Sequence, residues 1–321
     1  MLSWTLTIAF AALLIERFLG YPRWLQWMFG HPVIWMGNIL SRLESRLNRR
    51  PDWKIGCRIS GSMALGALVG IALAISVPLA ILCRSLPYGW IYEALLAVPL
   101  LAQFELRECV RAVADGLDKN LEEGRDAVRH IVGRDPSVLD ESGVARAGLE
   151  SLAENTSDGI VAPTLWLAIF GLPGIAVYKA INTADSMIGH KSPRHLHFGW
   201  AAARLDDLVN LPCSRLTGFL FAAAASLTSP TRGSAAIECM IRDANKHFSP
   251  NAGWPEAALA GALDVQLGGP RWYDGRKVDL PWIGSGQETL GPRNIRDGLA
   301  LQGRTLTVFT GLVGLLAVFT P

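Results

Sequence analysis

An all-α, polytopic integral membrane protein is the fold the sequence predicts, with about four to six spanning or re-entrant helices and a cytoplasmic helical lobe. Three observations predict it. Half of the 321 residues are hydrophobic and 18% are charged, with a mean hydropathy of +0.27. That balance is too apolar for an ordinary soluble protein and too charged for a bundle of spans alone. The segment Ile59–Leu82 carries no charge and exceeds the ~20 residues needed to cross a bilayer. By contrast, residues 105–158 are charge-rich with a helical period, as a lobe outside the membrane requires.

The elements follow in order within a single membrane-embedded domain, residues 1–321. Met1–Leu19 is apolar apart from Glu16 and Arg17; without a basic start or a small-residue cleavage site it reads as a retained span. The next loop carries Arg23, Arg42, Arg46, Arg49, Arg50, Lys54 and Arg58 against Glu44 and Asp52. The positive-inside rule places it in the cytoplasm. Within it, Ile34–Leu47 has the two faces of an interfacial helix. Ile59–Leu82, with small residues suited to close helix contact, is the surest span. Leu86–Phe104, interrupted by Glu93 and Pro99, is expected to be a third. The cytoplasmic helical lobe, 105–158, turns at Gly133–Pro136.

Residues 159–181 are predicted to form a re-entrant hairpin. Gly171-Leu-Pro173-Gly174 lies near the middle, where glycine and proline end one helix and permit a reversal. Each arm is then about 11–13 residues, roughly 17–20 Å at ~1.5 Å per residue, too short to span. A plain kinked span is the alternative. Leu216–Leu227 is a short apolar run that either spans or returns. Residues 230–300 form a cytoplasmic loop region, amphipathic as far as His247 and then rich in Gly, Pro and Trp. Leu306–Phe319, starting near Leu301, is the last span. The five cysteines stand singly, so neither a disulfide frame nor a zinc site is expected. The net charge of +2 implies no nucleic-acid partner.

The polar chemistry concentrates at the edges of apolar segments, where ionisable groups are expensive and therefore candidates for function. On a helix Glu150, Glu154 and Asp158 recur at four-residue spacing and share a face. Such acids repel unless a cation lies between them, and Mg²⁺ is suited to carboxylates and phosphates; a solvated acidic face is the plain alternative. Asn182, Asp185 and Ser186 form a second face. Arg204, Asp207 and Asn210, with Asp206 alongside, form a third. Arg204 either pairs with Asp207 or offers its planar fork to a phosphate. The segment from Asp243 to Glu256 supplies Lys246, His247, Asn251 and Trp254, with Gly253 allowing a close backbone approach. No P-loop or dinucleotide fingerprint is present.

Five stretches resemble the CobD/CbiB family, the membrane-bound adenosylcobinamide-phosphate synthases of cobalamin biosynthesis. They are GHPVIWMGNIL at Gly30, ESLAENTSDGIVAPTLW at Glu150, NTADSMIGH at Asn182, FGWAAARLDDLVN at Phe198 and SPNAGWPEAALAGALDVQLGGP at Ser249. His190-Lys191 and Phe248 depart from the usual pattern. The resemblance implies ATP-dependent joining of adenosylcobyric acid to (R)-1-aminopropan-2-ol or its O-phosphate, with ATP as co-substrate and Mg²⁺ as cofactor. Candidate catalytic residues are then Glu154, Asp158, Arg204, Lys246 and His247. Candidate metal ligands are Asp158, Asp185, Asp206 and Asp207. Substrate binding falls to Asn155, Thr156, Asn182, Ser186, Asn210, Asn251, Trp254 and Glu256, with Trp200 as a second aromatic for the corrin rim. The implied location is the bacterial inner membrane, multi-pass, with the active face cytoplasmic. The lipid bilayer and other membrane-associated corrinoid enzymes are the implied partners. A transporter, or a non-catalytic sensory membrane protein similar to AmpE, is the competing class.

Overall fold

The computed structural model describes residues 2–49, 52–133, 135–273 and 276–320. Arg50 of the basic loop and Arg134 of the expected turn lie outside the described residues. The helices run α1 (Leu2–Leu19), α2 (Arg23–Phe29), α3 (Pro32–Leu47), α4 (Lys54–Ser85), α5 (Gly89–Ala97), α6 (Gln103–Lys119), α7 (Leu121–Arg129) and α8 (Glu141–Thr156). They continue as α9 (Ala162–Phe170), α10 (Leu172–Ile188), α11 (Trp200–Ser226), α12 (Pro230–Asp243) and α13 (Gly253–Leu263). Short strands β1 (Leu267–Gly268), β2 (Arg271–Tyr273), β3 (Arg276–Val278) and β4 (Trp282–Ile283) precede α14 (Pro292–Phe319). The strands form two antiparallel pairs, β1 with β4 and β2 with β3. The protein is an all-α polytopic membrane protein: α1, α4, α11 and α14 are each long and apolar enough to cross a bilayer.

The expected third span is not one helix. It breaks into α5, of nine residues, and a 3₁₀ turn at Val98–Leu100. Pro99 lacks the N–H that would continue the ladder, and its ring clashes with the preceding turn. At ~1.5 Å per residue, α5 reaches only about 14 Å. The run Leu216–Leu227, undecided from sequence, is mostly the second half of α11, which continues through Pro212 for 27 residues. The region 230–300 holds more order than a loop: α12, the buried α13 and the strand pairs all fall inside it.

Contacts divide the chain into two compact units where the sequence suggests one domain. The first comprises Met1–Ala102, Ala162–Asn210 and Val313–Pro321; the second comprises Gln103–Val161 and Leu211–Leu312. In the first unit α4 and α10 share a core with Ala64, Ala72, Ala176, Ala180 and Ala184, small side chains that let helix backbones approach. The chain reverses between α9 and α10 at Gly171, whose φ of +69° is one that side chains on Cβ disfavour. Gly174 then lies against the Trp166 carbonyl, so closely that a Cβ there would come within 2.3 Å of it. The arms contain nine and 17 residues, so the second extends beyond the expected boundary, to Ile188.

A buried carboxyl holds this reversal. Glu93 of α5 is fully buried. Its Oε1 accepts the Leu172 N–H at 3.2 Å, an otherwise orphan donor at the start of α10. Its Oε2 accepts Trp4 Nε1–H at 2.9 Å, and Arg84 Nε lies 3.9 Å from the same oxygen. The charge that looks like an interruption of a span is therefore a helix cap in the apolar interior.

The second unit begins with capped helices. Asn120 accepts the Glu123 N–H at 2.9 Å and Asp140 accepts the Gly143 N–H at 2.7 Å, satisfying first-turn donors of α7 and α8. Glu150 of α8 is buried, and its Oε1 accepts the Gly268 N–H of β1 at 2.8 Å. It therefore anchors a strand, which takes it out of the acidic face expected with Glu154 and Asp158. Arg146 adds a second tie, donating to the Gln266 carbonyl at 3.1 Å while its guanidinium lies 4.8 Å from the Trp282 ring centroid.

Candidate active site

In the first unit, α10 and the start of α11 carry one polar cluster. Asn210 is fully buried: Nδ2 donates to Asp206 Oδ2 at 2.9 Å and Oδ1 accepts the Tyr178 hydroxyl at 2.9 Å. It positions Asp206 and is sequestered from the surface, so its place is behind the carboxylate. Asp206 is buried; its Oδ1 lacks a hydrogen bond of good geometry, with Asn182 and Asp185 facing the carboxyl. Lys179, also buried, donates to Asn182 Oδ1 at 3.4 Å. Ser186 is exposed and donates to the Asn182 carbonyl at 2.9 Å. Arg204 lies 3.9 Å from Asp207, and its side chain is 70% exposed. The pairing reading of Arg204 is thus present geometrically, but exposed pairs of this kind contribute little.

The connection between α10 and α11 is tied to α3 through Glu44. Glu44 receives Arg194 Nε at 2.7 Å and Nη2 at 2.9 Å, and also Asn48 Nδ2 at 3.1 Å. The Arg194 guanidinium holds the Glu44 carboxyl below its ordinary pKa despite burial. His195 lies 3.6 Å from the same carboxyl. Trp200 is exposed, with Arg58 5.1 Å from its ring centroid.

In the second unit, helical conformation passes from α8 directly into a π turn at Ser157–Val161. Such turns insert a residue into the helix and re-aim the side chains around them, and they are frequent at functional sites. Glu154 is exposed and Asp158 is half-buried on the turn itself. Asn155 donates to the Ser151 carbonyl at 2.9 Å and Ser151 Oγ at 3.2 Å. Thr156 is fully buried, donating to the Leu152 carbonyl at 2.7 Å and accepting Gln302 Nε2–H at 3.1 Å. That placement corrects its sequence assignment to substrate binding: the hydroxyl belongs to the packing of α8 on α14.

The segment from α12 to α13 carries the richest constellation. Asp243 is fully buried and accepts from Arg242 Nε at 2.9 Å, Arg242 Nη2 at 2.8 Å and the Gly284 N–H at 2.8 Å. Lys246 Nζ lies 2.7 Å from it. Burial pushes the Asp243 pKa up, but these donors outweigh it and hold the carboxyl well below its ordinary value. This stabilisation is complete above the unfolded-state carboxylate range, falls progressively as pH drops through that range, and is gone below the lower folded value. We predict that Asp243→Asn lowers stability at neutral pH by about 2–3 kcal/mol, since both cationic partners stay half-solvated. Comparing wild-type and variant melting between pH 7 and pH 3 checks this; the gap should close towards acid.

His247 Nδ1 accepts the Ser249 N–H at 3.0 Å, and Nε2 lies 3.7 Å from Glu256 Oε1. In the neutral ring the proton is then assigned to Nε2, facing a buried carboxylate. As placed, His247 turns Nε2 towards the Glu256 carboxyl from just beyond hydrogen-bond distance, and its Nδ1 lone pair is occupied by the loop backbone. The approach that brings them together depends on Gly253, where a Cβ would lie 2.1 Å from the Ala244 carbonyl and 2.8 Å from His247 Cβ. Gly253→Ala is expected to cost about 1–3 kcal/mol and to separate His247 from Glu256; thermal denaturation and activity together would show it.

Asn251, buried, accepts Ser214 Oγ–H at 3.2 Å and Arg215 Nη1–H at 2.9 Å, and the Arg215 guanidinium lies 4.6 Å from the Trp254 ring centroid. Arg215 was missed from sequence; the available signal was a lone cation at the head of the apolar run Leu216–Leu227. Among the described residues no three His, Cys, Asp or Glu side chains converge as a metal-binding group.

Long apolar helices bearing clusters of carboxylates, amides and few cations define a polytopic membrane protein with a polar reaction or binding site. The chain belongs to the CobD/CbiB family: the model described as CobD/Cbib protein matches residues 9–302. It is 48% identical over 317 residues to the cobalamin biosynthesis protein CobD of Sinorhizobium fredii (strain NBRC 101917 / NGR234), covering 96% of this chain and 95% of that one. It is 47% identical over 308 residues to the cobalamin biosynthesis protein CobD of Rhodobacter capsulatus, covering 95% of each. With the CobD of Rhizobium meliloti (strain 1021) it shares 50% identity over 281 residues, 87% of this chain and 86% of that one. Its role is in cobalamin biosynthesis. No solved structure matches the chain.

Proposed function

We propose that this protein is an ATP-dependent amide synthase that joins adenosylcobyric acid to (R)-1-aminopropan-2-ol O-phosphate, or to the free amine. The observation that carries the reading is family membership across residues 9–302. The polar clusters supply the groups such a reaction needs. A carboxylate is a poor acyl donor, so one of its oxygens first attacks the terminal phosphorus of ATP, giving an acyl phosphate and ADP. The amine nitrogen then attacks the carbonyl carbon, the C–O bond breaks, inorganic phosphate leaves, and the ammonium proton passes to a base.

Placement supports the following roles. Exposed Glu154 is the better candidate for that base, because the lone pair of His247 is occupied; His247 and Glu256 together orient the bound substrate and can relay a proton. Arg204 in the first unit and Lys246 in the second are alternative candidates for the cation that meets the transferring phosphoryl group. Asn155, Asn182 and Asn251 read acetamide arms, and Ser186 adds a hydroxyl. Trp254 packs on the corrin rim. The donor set suits Mg²⁺, which is usually held by one or two carboxylates with water and substrate phosphates completing its shell. Asp185 and the buried Asp206 fit that description in the first unit, and Asp158 and Asp207 are further candidates; the ion neutralises nucleotide charge when bound. We place the protein in the bacterial inner membrane with its reacting face cytoplasmic, supported by Arg42, Arg46, Arg49, Lys54 and Arg58 between α1 and the body of α4.

Adenosylcobyric acid labelled with ¹⁸O in the reacting carboxylate tests the route. The acyl phosphate predicts one labelled oxygen in the released phosphate. Unlabelled phosphate alongside amide product would overturn it.

A further inference from the structure

Arg215 is a guanidinium with no carboxylate among the described residues within ion-pair distance. It sits on α11, a helix apolar enough to span a bilayer, and is half-buried. Among the described residues its hydrogen bonds all run from Nη1: to the Leu211 carbonyl at 3.1 Å, Ser214 Oγ at 3.0 Å and Asn251 Oδ1 at 2.9 Å. One face is covered by the Trp254 ring. A cation held in an apolar helix with only neutral partners is costly unless an anion completes it.

The orientation is as informative as the charge. With Nη1 tied to the helix and Asn251, and the ring face against Trp254, the remaining edge of Nε and Nη2 is fixed in place. That edge is the planar two-donor fork that matches the oxygens of a phosphate. Asn251 is buried and itself held by Ser214 and the Ser249 hydroxyl, so the fork is preorganised. By comparison Arg204 is largely exposed and Lys246 is paired to Asp243.

We propose that Arg215, stacked on Trp254 and braced by Asn251 and Ser214, is a phosphate-binding residue that grips a phosphate of the substrates. The amide-synthase reading supplies only the two sources of that phosphate, the nucleotide and the amine's O-phosphate.

The test is calorimetric binding to the full-length protein in detergent, using inorganic phosphate, ATP, aminopropanol O-phosphate and free aminopropanol as probes. Arg215→Met should weaken the phosphate-bearing probe that uses this site by roughly 10–100-fold, the equivalent of a lost charge-assisted hydrogen bond or two. Affinity for the free amine should be unchanged. Arg215→Lys, which keeps the charge but not the fork, should recover only part of the loss while melting as the wild type does. Loss confined to ATP assigns the nucleotide, and loss confined to aminopropanol phosphate assigns the amine. Wild-type affinity for every phosphate probe in Arg215→Met, or no binding of any of them by wild type, would overturn the proposal. Arg215-dependent phosphate binding in a protein that forms no amide would leave it standing and remove the synthase reading.

Discussion

Glu93→Leu is expected to lower the stability of the detergent-solubilised protein by about 3–5 kcal/mol, the range for stripping buried polar groups of their partner. The substitution leaves the Leu172 N–H, the Trp4 indole N–H and Arg84 facing leucine at the start of α10. The Leu172 N–H, buried in an apolar interior, has no water to turn to, and the half-buried Trp4 indole loses its acceptor, while Arg84 is exposed. Glu93→Gln, which retains one acceptor oxygen, should fall between variant and wild type. Thermal denaturation followed by size-exclusion chromatography reads both. A melting point for Glu93→Leu equal to that of wild type would mean that the reversal at Gly171 is held by packing alone.

The second large effect is on turnover. Asp158→Asn should reduce amide formation by about 100-fold or more, the loss expected when a charge-stabilising group leaves a reacting phosphoryl centre. The change removes one charge with little change in shape. Asp158 is half-buried on the π turn, so melting temperature and membrane insertion should remain at wild-type values. Asp206→Asn tests the other carboxylate position: it also removes a charge, but from a buried group bonded to Asn210, so some stability should change with activity. Wild-type turnover in Asp158→Asn would remove that residue from the reaction.

What the sequence revealed and what it hid divide along physical lines. Long uncharged runs declare themselves, because bilayer thickness sets their length; α1, α4 and the core of α14 were legible for that reason. The reversal at Gly171 was legible because only a few residue types tolerate such a backbone. At α5 the apolar run is long enough to suggest a span, but the missing N–H of Pro99 decides the local structure. The helix α13 was hidden because its small buried residues give no amphipathic period. At the site, residue type and spacing pointed to Asp206 and His247 but could not say which polar groups are already satisfied. Asn210, Thr156 and Glu150 look like ligands in a list of residues, and the structure occupies them with Asp206, Gln302 and the Gly268 N–H. Conversely Glu44, Glu93 and Arg215 look incidental in sequence. Each acquires meaning from partners far along the chain, as Arg194 and Leu172 do for the two acids and Trp254 does for the arginine.

Incubating the detergent-purified protein with adenosylcobyric acid, Mg·ATP and each amine in turn, with mass spectrometry of the corrinoid, tests the central claim most directly. The account predicts a product heavier by the amine less one water, formed only with ATP and with one amine preferred. Folded protein that yields no such product with either amine, or yields it equally without ATP, would contradict the account.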